Sequence, residues 1–404
     1  MRILFVHNNF PAQYRHIANA LTRDPANKIG FITQSNKGEM PGVAKLVFEP
    51  ARKAHATTHL YVKQFENAVL EGQAVVRVLE SLRTKGFIPD LVCVHTGWGS
   101  GMFVKDIFPN TPVLLYCEWF TRLKDSDLDF DPADQPSIDD ILRFRASNAA
   151  MLVDLDACDG GITPTHWQHS RFPEVYRPRI DVLHDGIDTD YFQPQPGAKL
   201  QLPGLDLSHV QELVTFVARG MDTYRGFPQF IEALALLLKR RPQCHAVIVA
   251  SDRVAYGSNP PEGKSWKDWM LARVDLDMSR VHFTGSLPYK DYRQVLQASS
   301  VHVYLTKPFV LSWSLLEALS TGCQVLASKT APVLEVIEDG VNGLLVDFFD
   351  TQAIAERIEE ALDDRGRGDA LRRRARETIL ENYALAKLLP QQLKILEDYA
   401  QKSR

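Results

Sequence analysis

Lys307-Pro-Phe-Val-Leu-Ser-Trp-Ser-Leu-Leu-Glu-Ala-Leu-Ser-Thr-Gly322 is the stretch whose reading decides the fold. An apolar run, Val301-His-Val-Tyr-Leu305, precedes it, and a second, Gln324-Val-Leu-Ala-Ser328, follows it. Both runs have the length and composition of buried parallel strands. Pro308 disfavours the helical conformation at Lys307, so the chain turns there; helical spacing begins near Ser312 and Gly322 ends it. The prediction is strand, loop, helix (312–321), strand. Such a loop delivers a helix N-terminus to the carboxyl edge of a parallel sheet, where open α/β sheets bind ligands. That terminus carries about half a positive charge and unpaired N–H groups, which suits a diphosphate.

The same alternation repeats outward. Ile3 to Val6 leads through His7-Asn8-Asn9-Phe10-Pro11 into a helix with Tyr14, Ile17, Ala18 and Leu21 on one face. Strand signals recur at 29–33, 45–48, 91–94, 113–117 and 180–183, and 61–85 reads as a helix with Val69, Val76 and Leu79 inward. Later come a strand at 213–218, a helix at 228–240, and strands at 246–250 and 281–283. This pattern predicts an α/β protein with doubly wound parallel sheets. The 404 residues suffice for two cores, and the Pro- and Gly-punctuated run Gln193 to Gly204 puts the domain boundary at 195/196, with a small-molecule crevice expected between the halves.

A net charge of −4 supplies no overall basic field to recruit nucleic acid. The N-terminal apolar run is too short for a signal peptide and no segment has the length of a membrane span, so a cytoplasmic protein is expected. Arg365, Arg367, Arg372, Arg373, Arg374 and Arg376 read as a solvated helix face, with weak docking on the inner membrane surface the lesser alternative. The five cysteines are scattered without CxxC spacing and read as reduced core residues.

Phe309, seven residues, then Glu317-Ala-Leu-Ser-Thr-Gly322 resembles the donor-sugar loop of family-four retaining glycosyltransferases of the GT-B fold, whose usual form is Glu-Gly-Phe-Gly, four residues, Glu-Ala-Met-x-x-Gly. The resemblance implies that Glu317 holds the ribose of a nucleotide-sugar, with Ser312, Trp313 and Ser314 in the same donor-binding loop. Phe309 stands where the family has a glutamate that positions the donor sugar. Arg219-Gly-Met-Asp-Thr-Tyr-Arg225-Gly226 is similar to the family's Gly-Arg, short loop, Lys-Gly, which grips the donor diphosphate; Arg219 matches directly and Arg225 replaces the lysine one residue on. Arginine grasps phosphate oxygens with two donors. Gly285-Ser-Leu287-Pro-Tyr289 matches the loop whose backbone touches the base, and His184-Asp-Gly-Ile-Asp188 with Phe192 the segment that closes the N-terminal domain.

The family also has a histidine beside the donor sugar, at the end of the strand corresponding to 113–117. Here that place falls on Glu118, a carboxylate suited to a sugar hydroxyl or to positive charge developing at the anomeric carbon, and His95 one strand away is the other catalytic candidate. Asn8, Asn9 and Gly97, also at strand ends, are the acceptor-side candidates. The resemblance thus implies two Rossmann-like domains, 1–195 for the acceptor and 196–382 for the donor, with 383–404 as a helix crossing back to the first. It implies a nucleoside-diphosphate-sugar co-substrate, no metal, and as acceptor a hydroxyl of a glycan, a lipid-linked saccharide or a small metabolite, in polysaccharide or glycoconjugate biosynthesis.

Other readings compete at particular residues. Ser314-Leu-Leu-Glu317 also fits a capping box, in which the glutamate only satisfies a backbone N–H. Gly97-x-Gly99-x-Gly101 with Glu118 mimics a dinucleotide fingerprint, but Met102 stands where the third glycine belongs. Asp125-Ser-Asp-Leu-Asp-Phe-Asp131 lacks the glycine and glutamate of an EF-hand loop, having Phe130 and Pro136 there, and reads as a solvated acidic loop. A GT-B phosphorylase or nucleotide-sugar epimerase is one rival for the whole chain. A catalytically inactive binding subunit, kept open by Phe309 and Glu118, is the other.

Overall fold

The computed structural model describes residues 1–402, without the side chains of Glu262 and Arg365. It divides into two compact units: Met1–Gly186 together with the chain from Ala386 onward, and Ile187–Leu385.

The first unit holds a seven-stranded parallel sheet of β1 (Arg2–Val6), β2 (Lys28–Thr33), β3 (Val43–Val47), β4 (Leu91–His95), β5 (Val113–Tyr116), β6 (Gly160–Thr163) and β7 (Ile180–Val182). The order is β3-β2-β1-β4-β5-β6-β7, so the winding reverses between β1 and β4. Successive side chains of a strand point to opposite faces, and β1 shows it: Leu4 and Val6 join Val75 and Leu79 of the helix Lys63–Thr84, while Ile3 and Phe5 join Tyr14, Ile17 and Leu21. The last helix, Leu385–Gln401, covers that second face with Leu389, Leu393, Leu396 and Ala400.

β6 has no apolar pattern to announce it. A Cβ on Gly160 would stand 1.9 Å from Tyr399 Oη of the last helix, and one on Gly161 2.8 Å from Cys117 Sγ, so its glycines admit close neighbours rather than a turn. The helices Ile138–Ser147 and Ala149–Ala157 between β5 and β6 are likewise additions to the sequence reading. All five cysteines are free and buried.

The second unit begins with a small hairpin, β8 (Gln201–Leu202) and β9 (Leu205–Asp206), and is built on β10 (Glu212–Gly220), β11 (Cys244–Ser251), β12 (Val281–Phe283), β13 (Val301–Tyr304), β14 (Val325–Ser328) and β15 (Leu344–Val346). These six strands run in the order β12-β11-β10-β13-β14-β15, with the reversal between β10 and β13.

Two expected boundaries move, one read from composition and one implied by the resemblance. The division falls at 186/187 rather than 195/196, because the Ile187 N–H bonds Tyr383 O at 2.8 Å, the Leu385 N–H bonds Ile187 O at 2.8 Å, and Phe192 is buried in the second unit's core. For the same reason the return starts after Leu385 rather than at 383; of the expected 383–404 segment, Ser403 and Arg404 lie outside the described residues. The arginine-rich helix is also more than a solvated face. Arg372 donates to the carbonyls of Ser299, Ser300 and Gly322, and Arg376 to those of Thr189, Phe192 and Ser320, so these two tie down the ends of the helices Tyr289–Ala298 and Trp313–Ser320 and the 189–192 turn. The expectation for the Arg365 side chain lies outside the described residues.

Candidate active site

Open parallel sheets bind ligands beyond the carboxyl ends of the strands where the winding reverses. In the first unit that edge carries His7-Asn8-Asn9 after β1, Thr96 to Gly101 after β4 and Glu118 shortly after β5. The structure brings the two catalytic candidates together: His95 Nε2 stands 3.5 Å from Glu118 Oε2. His95 is 3% exposed, stacked between Trp98 at 4.5 Å and Tyr116 at 5.4 Å between ring centres, and its Nδ1–H donates to Thr96 O at 2.9 Å. Glu118 is partly exposed; Gln13 Nε2–H donates to its Oε1 at 2.8 Å, and the buried Gln168 fixes its backbone carbonyl at 2.6 Å. Asn9 is exposed and its N–H donates to His7 Nδ1 at 2.8 Å. Gly97 adopts φ +103°, which a side chain would strain. The Gly97–Gly101 loop is closely packed, since a Cβ on Gly99 would lie 2.3 Å from Ala68 O of the helix Lys63–Thr84. That leaves no slot for a pyrophosphate against the Gly99 Cα, so the dinucleotide reading fails here.

Asn8 donates its Nδ2–H to Glu71 Oε2 at 3.0 Å, and Gln34 Nε2–H reaches the same oxygen at 2.8 Å. Burial outweighs both donors and pushes the Glu71 carboxyl up to about 7; Asp154, buried beneath Gly101, is pushed up to about 8 by burial. Neither residue stood out in the sequence. A raised folded-state pKa means that the folded chain holds the proton more tightly than the unfolded one. Stability is therefore full below the ordinary carboxylate value and declines as pH climbs from there to about 7 for Glu71. Glu71→Gln is expected to remove roughly 3 kcal/mol of that decline. Urea unfolding near pH 5 and near pH 8 checks it: the variant should gain on the wild type only at the higher pH.

In the second unit the corresponding edge carries Arg219 to Gly226 after β10 and Thr306 to Ser312 after β13. Arg219 is exposed and makes no hydrogen bond or ion pair among the described residues. Arg225, expected beside it on the diphosphate, is buried and turned inward. Its guanidinium donates to Tyr304 Oη at 2.9 Å, Thr306 Oγ1 at 2.7 Å and Val310 O at 3.0 Å, which gives it the work of holding the β13 loop. Asp222, which the motif reading passed over, is fully buried. Its carboxylate accepts the backbone N–H of Tyr224 and Arg225 on one oxygen and of Ala255 and Tyr256 on the other, lacing two loops together; burial raises its pKa. An Asp two and three residues before the N–H groups it caps is the local signal that was available.

Ser312 is the N-cap of the helix Trp313–Ser320: its hydroxyl accepts from Ser314 N–H at 3.3 Å, and its own N–H donates to Tyr304 Oη at 3.0 Å. The capping-box reading of Ser314 and Glu317 therefore fails, since Ser314 lies inside the helix. Glu317 is buried and accepts the hydroxyls of Tyr292 at 2.8 Å and Tyr289 at 3.4 Å. Trp313 packs on the Leu315–Leu319 core. Phe309 is half-buried against Tyr224 at 5.4 Å and Tyr256 at 5.2 Å, an aromatic group where the resembled family has a carboxylate. Gly285 takes φ +69° with open space above its Cα, and Leu287 packs below. The acidic run is less solvated than expected: Ser126 and Asp127 are buried, and Asp129 accepts the backbone N–H of Asp125 and Ser126. Among the described residues no helix is long and apolar enough to cross a membrane.

Residues 25–192 match the glycosyl transferase family 4 group, and residues 204–378 the glycosyl transferases group 1. A D-inositol 3-phosphate glycosyltransferase of Streptomyces avermitilis is 25% identical over 197 residues, 48% of this chain and 41% of that protein. An alpha-maltose-1-phosphate synthase of Mycolicibacterium smegmatis is 28% identical over 244 residues, 55% of this chain and 58% of that one. The chain thus spans about half the length of these curated relatives. Among solved structures, Anabaena HepE in complex with UDP-glucose superposes with a TM-score of 0.70 at 17% identity, covering 98% of this chain and all of that one. Sucrose-phosphate synthase from Thermosynechococcus elongatus gives 0.71 at 16% identity, covering 98% of each chain. With a family-4-group match on 25–192, a group-1 match on 204–378 and two doubly wound units, the chain is a family-4-like glycosyltransferase of the GT-B fold.

Proposed function

We propose that this chain moves a glycosyl group, with retention and without a resident metal ion, from a nucleoside-diphosphate-sugar to a hydroxyl of an acceptor. The observation that carries the reading is the β10/β13 edge. One exposed, unengaged arginine and a helix N-terminus lie there, and Glu317 of that helix accepts two tyrosine hydroxyls from the helix Tyr289–Ala298. Arg219 and the helix dipole stabilise the charge that collects on the departing diphosphate. Glu317 takes the ribose hydroxyls, and Glu118 with His95, paired at the first unit's own ligand edge, acts on the transferred sugar. The relatives named for inositol 3-phosphate and maltose 1-phosphate support a small, hydroxyl-rich acceptor. Glycan or glycoconjugate assembly in the cytoplasm is the setting this reading carries.

Thermal unfolding with UDP, GDP, ADP, CMP and NAD, each with and without chelator, tests it. A ligand that binds the folded state alone raises the midpoint by mass action. One nucleoside diphosphate is expected to give a shift that chelator leaves intact; a shift with NAD alone, or one abolished by chelator, would overturn the reading. Arg225 committed to its loop and Phe309 set in an aromatic group favour one second reading, nucleotide binding without transfer. It predicts the same shift with no release of diphosphate from any sugar donor under any acceptor condition.

A further inference from the structure

A chain of side-chain hydrogen bonds with a fixed direction runs from the first loop to Glu118. The Asn9 N–H donates to His7 Nδ1 at 2.8 Å, so that nitrogen carries the lone pair and the proton of the neutral ring sits on Nε2. His7 Nε2–H then donates to Gln13 Oε1 at 2.8 Å. With its oxygen so engaged, the Gln13 amide presents its NH2 to Glu118 Oε1, at 2.8 Å. Each step orients the next, and an amide in the middle admits only one orientation, because the flipped group would set NH2 against the His7 proton and oxygen against the carboxylate. The chain spans residues far apart in sequence, 7, 13 and 118, and joins the ends of β1 and β5 across the strand that bears His95. Ala12, just before Gln13, has φ +47°, a conformation that residues other than glycine rarely adopt and that is retained where the surroundings over-determine it.

We propose that Gln13 is a positioning residue of the transfer site, holding one oxygen of the Glu118 carboxylate so that the other stays opposite His95 Nε2. The proposal rests on the glycosyltransferase reading of this edge, and it adds that the first loop serves the reaction as well as the acceptor. Gln13 acts through Glu118 and need not touch substrate. A carboxylate tethered at one oxygen keeps its plane when a sugar arrives, whereas an untethered one must be ordered at that moment, and misplacement of a reacting group is felt in turnover more than in ground-state binding.

Gln13→Met keeps the length of the side chain and removes both hydrogen bonds. Release of nucleoside diphosphate from UDP-glucose, GDP-mannose and ADP-glucose is measured in the wild type, Gln13→Met and Glu118→Gln, with long-range 1H–15N NMR of the histidines alongside. The variant should lose about tenfold or more in kcat with little change in donor KM, as for a lost hydrogen bond to a charged group. His7 should be the Nε2–H tautomer in the wild type and lose that preference in the variant. A kcat within about twofold of wild type, where Glu118→Gln is crippled, would overturn the positioning role and leave the transferase reading standing. An Nδ1–H tautomer for His7 in the wild type would overturn the hydrogen-bond chain whatever the activity. No release from any donor by the wild type, with no stabilisation by any nucleotide, would bring down the transferase reading and the proposal with it.

Discussion

Arg219→Ala is expected to cut transfer by about a hundredfold or more while leaving the unfolding midpoint nearly unchanged. The two halves of that expectation have separate causes. Arg219 is exposed at the end of β10 with no bonded partner among the described residues, so its removal breaks nothing in the fold, and such surface changes stay within about 0.5 kcal/mol. A guanidinium hydrogen-bonded to a departing diphosphate is worth about 3 kcal/mol, which is roughly two decades in rate. Measured kcat/KM and thermal midpoint together decide it; unchanged turnover would sink the assignment. Arg225→Ala makes a useful contrast, since three hydrogen bonds to the β13 loop go with it and stability should fall too.

Gly99→Ala should be the most destabilising single-methyl change at the first unit's ligand edge. The added Cβ would sit 2.3 Å from the carbonyl oxygen of Ala68 and 2.6 Å from its carbon, both helix backbone that no rotamer change can move aside, and φ +87° is itself unfavourable for alanine. Overpacking and backbone strain together point to a loss of about 3 kcal/mol or more. Gly285→Ala separates the two causes: φ is +69° there too, but nothing lies within 4 Å, so only the conformational cost of roughly 1 kcal/mol applies. Urea midpoints of the two variants should differ accordingly, and equal midpoints would show that the packing of the Gly99 loop on its helix is looser than described.

Much of the architecture was legible because it is written locally. Apolar runs of strand length between helical periodicities place most strands of both sheets within a residue or two, and the 307–322 stretch and Arg219 lie where the spacing puts them. What escaped is what depends on residues distant in the chain. β6 is hidden by Gly160 and Gly161, whose reason for being glycine is Tyr399 and Cys117. Gln13 acquires a part through Glu118, and Glu71 through Asn8 and Gln34, none of them neighbours in sequence. Arg225 matched a phosphate-binding motif, but Tyr304, Thr306 and Val310 decide where its guanidinium points. Ser312 and Ser314 are both good caps by residue type, and only the course of the loop chooses between them.

The first unit is interrupted in sequence by the whole of the second, and this bears on how the protein is made. When Gly186 leaves the ribosome, the sheet face built on Ile3, Phe5 and Tyr116 still lacks the helix that supplies Leu396 and Ala400. At synthesis rates of about 5–20 residues per second, the intervening Ile187–Leu385 takes roughly 10–40 s to appear, and it is a complete folding unit before its predecessor is. The N-terminal half therefore waits, with an apolar face bare, for residues translated after the second unit. A nascent chain stalled before Ala386 is a natural client for chaperones that bind exposed hydrophobic surface.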